Sequence, residues 1–222
     1  MMEQTQPRWE ATDEATARDV LRVVRTHLPE IKDGFWSYLC REIELSAKHI
    51  ARENRHLSLD RRAVRWMGLC SFVLSAYREL LRYVGGPRRA RSLLEDALIT
   101  VMRDRVTLEG GLGLGPEEPI AIERVGCAFL EHEQSMFGQG IACRCDTADE
   151  DHCSFVVRKC FFNDFFRRNG APLLTEMFCR LDALWADQLA EAHHDVHFVR
   201  PFTLAEGRDR CVFEFTRVAE EA

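Results

Sequence analysis

The chain predicts an α+β fold, an N-terminal helical bundle followed by a small antiparallel four-stranded sheet with a helix pair. Three observations carry that reading. Apolar residues recur at spacings of three and four through the first half, the period falls to two in short segments of the second half, and a glycine-rich run separates the halves.

The helical half runs from about Asp13 to Glu109. Leu21, Val24 and Leu28 mark a first helix, and Phe35, Leu39 and Ile43 a second, with Pro29 placed where the second could begin. Val64, Met67, Leu74, Tyr77 and Leu81 continue the period until Gly85-Gly86-Pro87 stops it, and Leu93, Leu94, Ala97, Leu98 and Val101 restart it. Four helices are the simplest count. Gly110 to Pro116 reads as a linker, which divides the chain into a helical region, 1–110, and an α+β domain, 116–222. Those glycines lack the Lys-Ser/Thr pair that a phosphate-cradling loop requires.

Beyond the linker, Ile120 to Phe137 reads as a helix. Ile141–Cys145 and Ser154–Arg158 then alternate as paired strands across the acidic turn Asp146 to His152. Cys160–Arg168 and Pro172–Ala192 are predicted helical, split at Gly170. Val196–Leu204 and Arg210–Val218 form a second hairpin across Glu206-Gly207-Arg208-Asp209.

Bulk composition narrows the function classes. With 222 residues, 46% of them hydrophobic, the chain can bury a sizeable core. Acidic residues outnumber basic ones 36 to 30, so no nucleic-acid partner is expected. No stretch approaches the roughly 20 apolar residues that span a bilayer. The first residues are polar and acidic rather than a basic head with an apolar run, so no membrane association and a cytoplasmic location are expected. In that compartment the nine cysteines stay reduced, as packing, metal-binding or reactive groups.

Chemistry-bearing residues concentrate in the last sixty positions. Cys179 and Asp182, three apart on a predicted helix, project from one face, where a carboxylate can take the proton of a thiol or orient water. Cys179 read alone is by default a small buried hydrophobe. Cys160 sits where a strand passes into a helix, a place for a thiolate favoured by unpaired N–H groups, or for a plug at the corner. Cys211 shares a strand face with Phe213 and Phe215, and its default is burial. Arg200 is suited to clamping a carboxylate, or else to a surface pair with Glu214. Thr203 offers a hydroxyl to the same ligand, or packs in the strand. Cys143, Cys145, Cys153 and Cys160, with His152, form a competing zinc set, although C-x-C-x7-C-x6-C repeats no zinc knuckle. His193, His194 and His197 cluster after the long helix, where His193 and His194 suit the negative helix end. His132, and the group Arg82, Arg88, Arg89 and Arg91, read as solvated surface.

The ordered string Cys160, Gly170, Cys179, Asp182, Arg200, Thr203, Gly207, Cys211 and Phe213 resembles the L-2-amino-thiazoline-4-carboxylic acid hydrolase family, over roughly Phe155 to Val218. Members open a small sulfur-containing heterocycle on a route to cysteine. The resemblance implies a hydrolase of a cyclic amidine or isothiourea. It makes Cys160, Cys179, Asp182 and Cys211 catalytic and assigns Arg200 and Thr203 to a small-molecule substrate that bears a carboxylate. No cofactor is implied. Ala183 and Val212 depart from the family pattern, which commonly has an aromatic residue and an aspartate there. The C-terminal element order is also similar to vinyl-reductase-type ligand-binding domains. That second likeness implies a sensor module that binds a small molecule or metal without transforming it, with the helical half coupling occupancy to a partner or a homodimer.

Overall fold

The computed structural model describes residues 14–58, 60–103, 121–192 and 195–217; the side chains of Glu14, Asp182 and Ala190 are outside the described set, as is the expected linker at 110–116. The first half is helical as its apolar spacing predicts: α1 (Glu14–Thr26), α2 (Asp33–Glu53), α3 (Arg61–Leu80) and α4 (Pro87–Arg103). Helix α2 starts at Asp33, not at Pro29, because a backbone turn from Leu28 to Ile31 intervenes. Helix α3 is buried on most of its circumference, from Trp66 and Met67 through Leu74 and Tyr77 to Leu80, which makes it the axis of the bundle.

Asp60 starts α3 and ties the two halves together. Its Oδ1 accepts the N–H groups of Arg62 and Ala63, both at 2.9 Å, and its Oδ2 accepts the N–H of Gln139 at 2.8 Å. These contacts satisfy donors that a helix leaves open at its first turn.

The second half begins with α5 (Ile122–Phe137). Four antiparallel strands follow in spatial order β1-β2-β4-β3: β1 (Ile141–Ala148), β2 (His152–Cys160), β3 (Val196–Phe202) and β4 (Cys211–Arg217). Alternation along β2 and β4 buries Cys153, Phe155 and Val157 together with Cys211, Phe213 and Phe215. Helix α5 covers that face, with the Phe129 ring 5.0 Å from that of Phe213 and 5.3 Å from that of Phe155. Close approach depends on Gly126, where a Cβ would stand 2.3 Å from Cys153 Sγ.

Between the hairpins lie α6 (Phe161–Arg168), α7 (Thr175–Asp182) and α8 (Leu184–Ala192). The predicted single helix from Pro172 to Ala192 is therefore three pieces, a 3₁₀ turn at Pro172–Leu174 and two helices parted at Ala183.

Two apolar clusters result. One joins the bundle to the phenylalanines of α6 and α7, and the other joins α5 to the inner face of the sheet. Ile141 and Cys160 pack against both. The helical and sheet halves thus share a seam, and the strand end bearing Cys160 lies in it.

Candidate active site

A small cavity opens at this seam. Its wall is mostly apolar, formed by Phe137, Ile141, Val157, Phe161, Phe162, Phe178 and Phe213, and Cys160, Cys179, Arg200 and Cys211 line it together. Residues fifty positions apart in the chain therefore converge on one hollow, apolar with a few convergent polar groups.

Cys160 ends β2 and stands at the N-cap of α6. Its side chain makes no cap hydrogen bond, yet the thiol feels the N–H groups at that helix end. Burial raises its pKa well above the ordinary thiol value, the N–H of Asn163 opposes this, Cys179 and Cys211 add to the rise, and the N–H of Phe162 opposes it. Desolvation outweighs the helix terminus, and of the two readings of Cys160, thiolate or corner plug, burial favours the neutral thiol.

Arg200 reaches the cavity through an irregularity in β3. Val199 pairs with Glu214 and Phe202 with Val212, so β3 holds one residue more than β4 across this interval. Such a bulge re-aims a side chain, and Pro201 within it has no N–H to give to a ladder. Arg200 consequently turns from Glu214 towards the interior. Its Nη2 donates to the Cys179 carbonyl oxygen at 2.7 Å, and its guanidinium lies 5.4 Å from the centre of the Phe213 ring.

Thr203 does not line this cavity. Its hydroxyl and its N–H both donate to Glu206 Oε2 at 3.0 Å, and Glu206 N–H donates back to Thr203 Oγ1 at 3.2 Å. With Gly207 at φ 81°, these bonds build the turn between β3 and β4. Cys211 closes the same turn, where the Leu204 N–H donates to its Sγ at 3.2 Å. Thr203, Gly207 and Cys211 therefore act as a unit that sets the hairpin, and only the sulfur reaches the cavity.

Cys179 lies on α7, one turn before Asp182, whose side chain is outside the described residues. Ion pairs fasten this helix to α4: Arg91 meets Glu176 at 2.6 Å and Glu95 at 3.4 Å, and Arg180 meets Glu95 at 2.8 Å. Arg91 is thus part of a network, whereas Arg82, Arg88 and Arg89 are exposed.

The zinc set is not assembled. Cys153 and Cys160 are seven residues apart on β2, about 23 Å along the strand. Cys153 is buried, Cys145 is exposed, and among the described residues no group of three or more His, Cys, Asp or Glu side chains is placed to hold a metal ion. His152 meets Thr147 Oγ1 at 3.1 Å in the hairpin. His197 is exposed on β3, and His193 and His194 lie outside the described residues.

Two polar cavity residues were not singled out by the sequence reading. Glu133, only 2% exposed, comes from α5, and Thr175, 1% exposed, from the start of α7. The Glu133 signal was present, since Val125, Phe129, Glu133 and Phe137 recur every fourth residue and put a carboxylate on an apolar stripe.

Fold and site together define an α+β protein with an apolar, thiol-lined cavity closed on one side by a guanidinium. Residues 68–215 match the L-2-amino-thiazoline-4-carboxylic acid hydrolase family. The chain belongs to that family, and the match extends from within α3 across the seam to β4. No curated protein and no solved structure matches the chain. Among the described residues no helix is long and apolar enough to cross a membrane.

Proposed function

We propose that the protein hydrolyses a cyclic isothiourea that carries a carboxylate, with 2-amino-thiazoline-4-carboxylate as the reference substrate. The observation that carries this reading is the meeting of Cys160, Cys179, Cys211 and Arg200 in one cavity of a chain belonging to this hydrolase family. Arg200 holds the substrate carboxylate through charge-assisted N–H···O bonds. Cys179 is the nucleophile, and its proton passes to Asp182, one turn along α7.

The Cys179 thiolate adds to the amidine carbon. The bond from that carbon to the ring sulfur then breaks, and the departing sulfur takes the proton of Cys160. Cys160 lines the same cavity as Cys179, which brings its thiol to the reacting sulfur. Water next attacks the Cys179-bound carbon and gives a proton to the Cys160 sulfur. Cys179 leaves, recovers its proton from Asp182, and a carbamoyl-cysteine product is released. Each catalytic group returns to its starting state, with one water consumed.

Steady-state turnover with purified protein tests the scheme. Cys179→Ser and Asp182→Asn are each expected to lower kcat by roughly a thousandfold, the scale lost when an activated nucleophile or its base is removed. Mass spectrometry of quenched wild-type reactions should show the substrate mass added at Cys179. Full turnover in both variants would refute these roles. A sensor reading, after the vinyl-reductase-type likeness, would gain instead from tight ligand binding with no product.

A further inference from the structure

We infer that Glu133 is the substrate-recognition carboxylate of this cavity and that it selects ligands carrying an amidinium group opposite their carboxylate. The inference rests on the hydrolase reading and specifies its substrate class as cyclic amidines of zwitterionic form. Glu133 interrupts the apolar stripe of α5 between Phe129 and Phe137, is 2% exposed, and lines the same cavity as Arg200. Carboxylates are rarely buried without a charged or hydrogen-bonding role, because desolvation of the ion is costly.

Its position is fixed from outside the cavity. Trp66 Nε1 donates to the Met136 carbonyl at 3.0 Å and Arg62 Nη1 to the Gln134 carbonyl at 3.0 Å, so α3 grips the last turn of α5 around Glu133. A second observation points to a polar ligand. Thr175, 1% exposed, also lines the cavity, and its Oγ1 has no hydrogen-bond partner among the described residues. A cavity walled by apolar side chains and three thiols thus also carries the Glu133 carboxylate, the Arg200 guanidinium and the Thr175 hydroxyl.

The guest that complements this set has charges of both signs. A cyclic isothiourea is a base that carries its proton on the N–C–N unit, where a ring N–H and an exocyclic N–H lie parallel in one plane. A carboxylate accepts such a pair bidentately, as it accepts a guanidinium. Glu133 therefore holds the amidinium end while Arg200 holds the carboxylate end, and the carbon under attack lies between the two held nitrogens.

Competitive inhibition of the wild-type protein provides the test, with two probes that both keep the carboxylate. One is 2-amino-imidazoline-4-carboxylate, and the other is thiazoline-4-carboxylate, which lacks the exocyclic amino group. The amino-bearing probe is expected to inhibit at least about 100-fold more tightly, because a site built to bind N–H groups rejects a ligand without them. In Glu133→Gln that ratio is expected to collapse below about tenfold, with kcat/KM falling by a similar factor. A wild-type ratio within about threefold would overturn the inference even if the variant fails to fold. Equal ratios in a folded Glu133→Gln protein would overturn it too. Both failures leave the hydrolase reading standing if 2-amino-thiazoline-4-carboxylate is turned over. Absence of that turnover in wild type would instead bring down the hydrolase reading and this inference with it.

Discussion

The two apolar clusters are built from similar side chains and behave differently where they meet. Within the sheet cluster, Phe129 touches the rings of Phe155, Trp185, Phe213 and Phe215, and the interior is filled by interlocking aromatics. Within the bundle, α3 is enclosed by aliphatic and aromatic neighbours along most of its length. At the seam this completeness fails. Strand β2 ends, β3 bulges, α7 begins, and the wall admits three sulfurs, a guanidinium and a carboxylate. Continuous elements fill space, whereas the ends and irregularities of several elements leave a hollow and aim polar groups into it.

This contrast predicts that substitutions at the seam damage activity and substitutions in either cluster damage stability. Among groups that bind rather than react, Arg200→Met should show the largest effect, raising KM for a carboxylate-bearing substrate by at least about 100-fold while kcat falls less, as read from initial rates. Loss of binding of equal size for a ligand without a carboxylate would break the distinction. Next comes Phe129→Ala, expected to cost about 3–5 kcal/mol in denaturant unfolding, with turnover per folded molecule retained.

Asp60 bridges the two regions, and Asp60→Ala should cost about 1–2 kcal/mol through the lost helix cap, measured by chemical denaturation. Its carboxyl is held below the ordinary aspartate value, first by the Gln139 N–H, then by the Ala63 N–H, with burial opposing and the N–H and charge of Arg62 adding to the drop. Because the folded pKa is depressed, this contribution is complete above the unfolded value near ~3.9 and is lost as pH falls through the folded value. An acid denaturation curve of Asp60→Ala should therefore be flatter below pH ~4 than that of wild type.

Cys153 supplies the opposite sign. Burial, followed by the charge of Cys145, its side-chain hydrogen bond, and the charges of Cys127 and Asp149, pushes this thiol from 9.0 up to about 12. A raised folded pKa gives stability that is whole below the unfolded value and is lost as pH rises from 9.0 to about 12. Cys153→Ala should weaken that alkaline loss in unfolding midpoints taken across this range. The smallest effect is expected for Thr203→Val, about 1 kcal/mol of stability from the loosened turn. Its KM should move by less than about threefold, since Glu206 rather than a ligand takes the hydroxyl.

Periodicity made most of the fold legible. The helices of the bundle, the hairpins and the shared face of Cys211, Phe213 and Phe215 all follow from spacings of four and two. The start of α2 was misplaced because Pro29 sits in the turn before the helix rather than in its first turn, and the break at Ala183 was hidden because no breaker residue marks it. At the site, the thiols and Arg200 could be named but not aimed, since the β3 bulge that turns Arg200 inward depends on register with β4. Thr203 carried the right motif and a different task, as a hydroxyl at the residue where β3 gives way to the turn bonds locally to Glu206. The state of Cys160 is set first by its burial at the seam, which no local pattern reveals. Glu133 was readable all along as a charge on an apolar stripe.

Thiol footprinting tests the seam most directly. Under limited alkylation, saturating 2-amino-thiazoline-4-carboxylate is expected to slow modification of Cys160 and Cys179 together by at least about tenfold, because both line the cavity that the substrate fills. Cys127 and Cys145, which are exposed elsewhere, should react at unchanged rates. Protection of only one of the two cavity thiols, or equal slowing of all four, would contradict a shared substrate cavity between the bundle and the sheet.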